Sequence, residues 1–417
     1  MSKTIIIIGA GLAGLSAALQ AAENGCNVKL VSSLPSERAQ SVMAEGGINA
    51  ALNTKDENDS PEEHFTDTIK AACGLADPNA VWGMTQAAPE LVHWLLKLGV
   101  KFNMSGYDDV DLRNFGGQKK KRTAFAQSDT GKQIMTAMID AVRRKEASGM
   151  VERFSHHSFL TLRLCGNICC GCVIRDEYSQ ETVELPGDAV IVATGGMHGL
   201  FGNTTGSLSN TGEVTAELFR LGVPLANGEM IQYHPTTVKC GGKRMLISEA
   251  ARGEGGRLFA MKDGKQWYFM EEKYPELGNL MPRDITAREI WNVSHESEVF
   301  LDMTEISEEI ISNKLSGLAD DCMTYLHKDI RKEPVSVLPG IHYFMGGILV
   351  DEQHRTPIQN LCAAGECCAQ YHGANRLGGN SLLGALYGGR VAAKSACEQA
   401  DVVDLSCATQ IDFPPAS

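Results

Sequence analysis

The first thirty residues change hydrophobic pattern twice within a few steps. Residues 4 to 8, TIIII, form a continuous apolar run of mostly β-branched side chains, which suits a strand buried on both faces. A glycine-rich turn follows, then helical character from Leu12 to Glu23, a turn at Asn24-Gly25 and a second apolar run from Asn27 to Val31. Strand, tight turn, helix and strand in that order predict the opening of a parallel doubly wound sheet. The uncharged stretch from 4 to 22 could pass for a membrane span or signal peptide. Gly9, Gly11 and Gly14 speak against that, because they would place three helix-weakening residues in its first half.

Further along, residues 61 to 100 have helical patterning. Short alternating runs between Phe159 and Ile191, broken at Gly166-Asn167 and Pro186-Gly187, predict a small antiparallel insertion ahead of another buried strand, AVIVATGG. Residues 213 to 222 again look helical. From about Val238 to Pro339 the chain is more charged and irregular, with a helical stretch near 305 to 328, and past Gly340 the apolar, glycine-rich character returns. The expected class is therefore α/β: a doubly wound, Rossmann-like domain over 1–237, an inserted α+β domain over 238–339, a return to the first domain over 340–400, and a loose tail over 401–417.

Composition narrows the function. With 417 residues, 43% of them hydrophobic and 21% charged, the chain is an ordinary globular protein too long for a single core. The 38 Lys and Arg against 51 Asp and Glu give a net charge of -13, which argues against a nucleic-acid partner and requires any anionic substrate to meet a local basic pocket. An odd count of 13 cysteines in a long chain points to a reducing, cytoplasmic setting.

Gly9-Ala10-Gly11-Leu12-Ala13-Gly14 fits G-x-G-x-x-G between strand and helix, where backbone N–H groups and the helix dipole receive a pyrophosphate. The acidic ribose partner expected about twenty residues on is absent, and Ser32-Ser33 stand there instead, so NAD specificity is unsupported. Two more glycine turns follow, Ala44-Glu45-Gly46-Gly47 and Ala193-Thr194-Gly195-Gly196. Three later blocks place cations and imidazoles among glycines: Gln232 to Thr236 around His234, Ser248 to Gly256 with Glu249 and Arg252, and His372 to Leu382 with Arg376. In a protein of negative net charge, such cations favour a carboxylate-binding pocket. No metal site is expected, since the spacing of Cys165, Cys169, Cys170 and Cys172 fits no zinc or ferredoxin pattern; these read as buried thiols on a hairpin. Cys367 and Cys368, beside Glu366, read as packing residues, and Lys119 to Arg122 as a solvated loop.

These motifs, with His64 to Thr68, Asn114-Phe115-Gly116-Gly117, Arg283-Asp284 and His342-Tyr343-Phe344-Met345-Gly346-Gly347 in order, resemble the flavoprotein subunits of fumarate reductase and succinate dehydrogenase, the family that includes the L-aspartate oxidases. The resemblance covers the chain to about residue 398. It implies an FAD-binding domain, a capping domain over the isoalloxazine, and a dicarboxylate between them. Carried onto matching positions, His234 and Ser248 would hold one carboxylate, His342 and Arg376 the other, Arg283 would donate a proton, and Glu249 and Arg252 would relay it. Gly9, Ala10, Gly11, Gly14, Ser32, Ala44, Gly46, Gly47, Gly195, Glu213, Glu366, Ser381 and Leu382 would serve FAD. An arginine is an unusual acid, with a reference pKa of about 12.5–13.8, but a carbanion beside a carboxylate is a far stronger base.

Two departures choose among relatives. Family members with covalently attached flavin carry His in an S-H-T-V segment, where this chain has Ala39-Gln40-Ser41-Val42, so the FAD is expected to be noncovalent and its potential lower, favouring fumarate reduction. Aspartate oxidases carry Arg-Glu-Gly-Gly where this chain has Asn114-Phe115-Gly116-Gly117, so the carboxylate for a substrate amine is missing. The expectation is fumarate reduction to succinate, with aspartate oxidation, succinate oxidation and a non-catalytic flavin electron carrier as alternatives. Larger members continue into a helical C-terminal domain, whereas this chain stops soon after the flavin-binding segment. That leaves an iron–sulfur subunit, another soluble donor or reduced flavin as electron source, and a cytoplasmic location, free or peripheral to the inner membrane through a partner, as the expectation.

Overall fold

The computed structural model describes residues 2–106 and 109–399; the expected tail over 401–417 lies outside them. Five parallel strands form the central sheet, in the spatial order Leu361–Ala363, Ala189–Val192, Thr4–Ile8, Asn27–Ser32 and Val151–Ser155. Thr4–Ile8 lies in the middle, and its run of isoleucines is explained by what each face meets. Ile5 and Ile7 join the hydrophobic cluster formed with the helices, while Ile6 and Ile8 join a second cluster on the opposite face. A strand covered on both sides has no position for a polar side chain.

The helix Leu12–Glu23 starts directly at the C-terminal edge of that sheet. Its entry is tight. Gly9 has φ +110°, and a Cβ there would come 2.3 Å from the Ala193 carbonyl oxygen, while a Cβ on Gly14 would come 1.8 Å from the Gly9 oxygen. The helix then packs along the C-terminal helix Asn380–Gln399, where Ser16 Oγ donates to the Leu386 carbonyl at 2.6 Å. Residues of Asn380–Gln399 thus complete the same apolar cluster as the N-terminal strand and helix.

The helical stretch 61–100 is two helices, Pro61–Ala71 and Pro78–Leu98, each with proline in its first turn and capped by Ser60 and Asp77. The antiparallel insertion comprises His157–Cys165, Ile168–Asp176 and Thr182–Pro186. Cys169, Cys170 and Cys172 are buried, as expected, but Cys165 is disulfide-bonded and so is not a thiol. The stretch 305–328 breaks into Glu308–Lys314, Ser316–Asp321 and a wide turn over Cys322–Leu326. A separate apolar cluster draws on residues from Ile247 to Val337 and takes in Phe115 from outside that range. The compositional shifts at 237/238 and 339/340 fall inside two strands, Ile231–Cys240 and Leu338–Phe344, that pair with each other and carry the chain out and back. A change of composition marks where the surroundings change, not where a strand ends.

In the basic run Lys119 and Lys121 are exposed, as expected of a solvated loop, but Arg122 departs from that expectation. Arg122 is fully buried, holding Asp59 at 2.8 Å and Asp67 at 2.9 Å, while Lys120 and Lys121 face Glu63 and Glu57 across the same loop. The acidic segment 57–67 neutralises it, a pairing between distant stretches that local charge pattern does not reveal. Among the described residues no helix is long and apolar enough to cross a membrane.

The helix entry gives a test. Gly14→Ala should destabilise the protein by at least about 2 kcal/mol and lower the flavin recovered per chain, because the new methyl must displace backbone. Thermal unfolding and flavin absorbance unchanged from wild type would refute the tight approach.

Candidate active site

One elongated cavity of about 580 Å³ runs from the C-terminal edge of the parallel sheet to the sheet formed by Ile231–Cys240, Lys243–Leu246 and Leu338–Phe344. At its first end lie Gly9, Ala10, Gly11 and the start of the following helix; Ser32, Ala44, Gly46, Gly47, Gly195, Glu213, Glu366, Ser381 and Leu382 continue its walls. At the other end lie His234, Ser248, Glu249, Arg283, His342 and Arg376. Residues from widely separated stretches of the chain, from Gly9 to Leu382, therefore share one space.

The polar cluster is organised around Glu249, which opens a short helix capped by Ser248. Glu249 Oε2 accepts from Arg283, with Nε at 2.8 Å and Nη2 at 2.6 Å. Its other oxygen accepts from the Gly116 N–H at 2.8 Å and lies 3.6 Å from Arg252 Nη2. Arg252 in turn donates to the Asn279 carbonyl at 2.6 Å. Across the cavity the rings of His234 and His342 are 5.0 Å apart, and the Arg376 guanidinium lies 4.3 Å over the Tyr343 ring.

Burial and crowding of cations set the protonation states. Burial, then Arg283 and Arg252, hold His234 well below the usual imidazole range; burial, then His234 and Arg283, do the same to His342. Both rings are neutral at physiological pH. Burial alone would raise Glu249, but Arg283 and Arg252 outweigh it and keep it ionised. Arg376 is pushed down to about 9, by burial first and then by Arg283, and so remains a cation without a carboxylate partner among the described residues. Its Nε has no hydrogen-bond partner.

Of the residues singled out from sequence, Gly14 and Arg252 do not line the cavity. Gly14 sits beneath the first glycine turn, and Arg252 lies behind Glu249. Several contributors carried no isolated signal. Gln232 accepts from Arg283 at 3.1 Å and donates to the Arg376 carbonyl at 2.8 Å, tying the two cations together. Thr205 bonds His342 Nδ1 at 2.8 Å, and His198 links Thr204 to Glu366. Their adjacency to glycine turns and to His234 was visible; their hydrogen bonds were not.

The cavity suits FAD. A backbone cradle too tight for Cβ atoms opens onto a helix N-terminus, the natural seat of a pyrophosphate, and the buried Ser32 hydroxyl at the end of the second strand has no partner. Such a fold and cavity define an FAD-dependent oxidoreductase. A sequence description of the FAD binding domain matches residues 4–382. The chain is 44% identical over 413 residues to the succinate dehydrogenase flavoprotein subunit of Bacillus subtilis, covering 97% of this chain and 70% of that one. It is 34% identical to the 8-methylmenaquinol:fumarate reductase flavoprotein subunit of Wolinella succinogenes, over 98% of this chain and 68% of the other. Among solved structures, a mutant FrdA chain of the E. coli quinol fumarate reductase superposes with a TM-score of 0.90 at 30% identity, covering 98% of this chain and 72% of that one. The chain belongs to the family of succinate dehydrogenase and fumarate reductase flavoprotein subunits.

Glu45, in the second glycine turn, lines the same cavity, and its Oε2 has no partner. Burial, reinforced by Asp321 and Asp129 against the pull of Arg113, raises its carboxyl to about 8. A value raised above the unfolded 4.5 contributes stability that is complete below about pH 4.5 and is lost as pH rises through about 8. Relative to Glu45→Gln, the wild type should therefore lose stability between about pH 5 and about pH 8, by no more than about 1.4 kcal/mol per pH unit. Parallel unfolding profiles for the two proteins across that window would refute it.

Proposed function

We propose that this protein reduces fumarate to succinate with noncovalently bound FAD, residues 238–339 acting as a cap over the reacting end of the cavity. The observation that carries the reading is the charge arrangement there. Arg252 and Arg283 flank the carboxylate of Glu249, and Arg376, a third buried guanidinium with no ion-pair partner among the described residues, lines the same cavity as Arg283 beside two neutral imidazoles. The surplus positive charge complements a small dianion.

In this reading His234 and the Ser248 hydroxyl hold one carboxylate, and His342 and Arg376 the other. The Thr205 hydroxyl, 2.8 Å from His342 Nδ1, holds the ring and leaves Nε2 for the substrate. Arg376, held over Tyr343, has an unpartnered Nε to offer a planar carboxylate. Gripping both ends turns one carboxylate out of conjugation and offsets its charge, which makes the alkene electrophilic. Bound FAD supplies the two-electron exchange with that carbon–carbon bond. Arg283 delivers a proton to the second carbon and recovers one from Glu249, whose Oε2 lies 2.6 Å from Arg283 Nη2; Arg252 would recharge Glu249, and its Nη2, 3.6 Å from Glu249 Oε1, must move closer to form that hydrogen bond.

Phe115 supports a substrate without an amine. It is buried, lines the cavity and brings a ring, not a carboxylate, to its segment. Gln40 also lines the cavity, with no imidazole to bond to flavin, and this favours the reductive direction. The 44% identity to a succinate dehydrogenase subunit favours the reverse direction as a second reading. Similarity to proteins named as subunits supports electron delivery by a partner chain, with free reduced flavin as the other donor, and peripheral attachment to a membrane through that partner.

Anaerobic mixing of the dithionite-reduced holoprotein with fumarate should restore oxidised-flavin absorbance; failure at saturating fumarate would point to an electron carrier. Arg283→Ala should keep FAD and lose more than about tenfold in kcat, about 1.4 kcal/mol, and a smaller loss would remove Arg283 from the proton-donor role. Acid precipitation should release the yellow flavin into the supernatant, and flavin remaining on the polypeptide would refute noncovalent binding.

A further inference from the structure

Arg244 was not among the residues marked by sequence motifs, yet it occupies an unusual position. It lies in the strand Lys243–Leu246, opposite Lys239 of the hairpin, and its backbone N–H donates to the Thr204 carbonyl at 2.9 Å. Its side chain lines the cavity and is 9% exposed. The guanidinium bonds the Thr237 hydroxyl, the Thr237 carbonyl at 2.9 Å, the Leu338 carbonyl at 3.3 Å and Asn203 Oδ1 at 3.4 Å. All four acceptors are neutral. Among the described residues no carboxylate stands within ion-pair distance, in contrast to Arg122, which has two, and to Arg252 and Arg283, which share Glu249. A buried cation with dipoles but no counter-charge is costly unless an anion visits its neighbourhood.

The acceptors lie on three segments that meet at the substrate end. Asn203 sits two residues before Thr205, whose hydroxyl bonds His342, and Leu338 opens the strand that carries His342. The arm also needs Gly340, where a Cβ would come 2.6 Å from Arg244 Cδ.

We propose that Arg244 is a positioning residue for the dicarboxylate: it ties the 203–205 loop to the strand that aims His342, and it supplies fixed positive charge to the cavity wall that draws the dianion in. The proposal rests on the dicarboxylate reading above. Its electrostatic part acts without contact with the reacting atoms, through a low-dielectric wall, and weakens as salt screens it. Lys243 beside it, exposed next to the Gly241-Gly242 turn, adds to the same field.

The test uses FAD-loaded wild type, Arg244→Gln and Arg244→Lys, with fumarate as the probe. Kd is read from the flavin absorbance change, and KM and kcat from turnover, at several salt concentrations. Arg244→Gln should raise Kd and KM about tenfold at low salt, change kcat less than about threefold, and flatten the salt dependence. Arg244→Lys should recover the salt dependence and most of the affinity, a rescue that a purely structural role would not produce. Wild-type KM and salt slope in Arg244→Gln would overturn the proposal, as would equal defects in both variants. Wild type that neither binds nor turns over fumarate would overturn the functional reading, and this proposal with it.

Discussion

The organising interaction is the carboxylate of Glu249 held between two buried guanidinium groups. Glu249 and Arg252 are fully desolvated, and burial by itself works against the charge on both. Each ion is tolerable because the others are present and because the Gly116 N–H, the Asn279 carbonyl and Gln232 satisfy much of what remains. Removing one member would leave the others charged in an apolar surround, so the triad is an all-or-none element. It also dictates the residues beside it. A Cβ on Gly116 would come 2.5 Å from Glu249 Oε1, so only glycine lets that backbone N–H approach.

This constraint links two otherwise separate cores. Glu249 and Arg252 belong to a short helix whose alanines, Ala250 and Ala251, are buried in the second cluster, and Phe115 enters that same cluster from the first hundred and twenty residues. The Gly116 contact therefore couples the packing of the inserted region to the loop after Phe115. On the opposite wall, Asn49 bonds the Gly378 carbonyl at 2.7 Å and Asn380 at 2.8 Å, locking the Arg376 loop onto the first glycine-rich segments. Both ends of the proposed dicarboxylate would be gripped by residues that are themselves anchored to different cores.

Cation placement divides into two kinds. Arg122 is paired with Asp59 and Asp67, and no carboxylate is left wanting; it is a structural ion. Arg376 and Arg244 line the cavity and have no carboxylate partner among the described residues. In a protein of net charge -13, two buried arginines without an ion-pair partner are unusual, and both belong to the wall of this one cavity.

Much of this was legible in the chain itself. The isoleucine run, the glycine turn and the helix from Leu12 to Glu23 follow from periodicity and steric need, because a strand covered on two faces and a turn without room for Cβ admit few sequences. The motif blocks picked out His234, Ser248, Arg283, His342 and Arg376, which the fold brings to one cavity, since imidazoles and guanidinium groups among glycines are costly to place without purpose. Other features came only from the folded chain. The Gly116 bond to Glu249, the neutralisation of the basic run by residues 57–67, the strands that straddle the compositional boundaries and the unmatched charge of Arg244 all join residues distant in sequence. Local composition sets what a segment can form, whereas desolvation and pairing depend on which partner arrives across the fold, and that is decided only when the chain has packed.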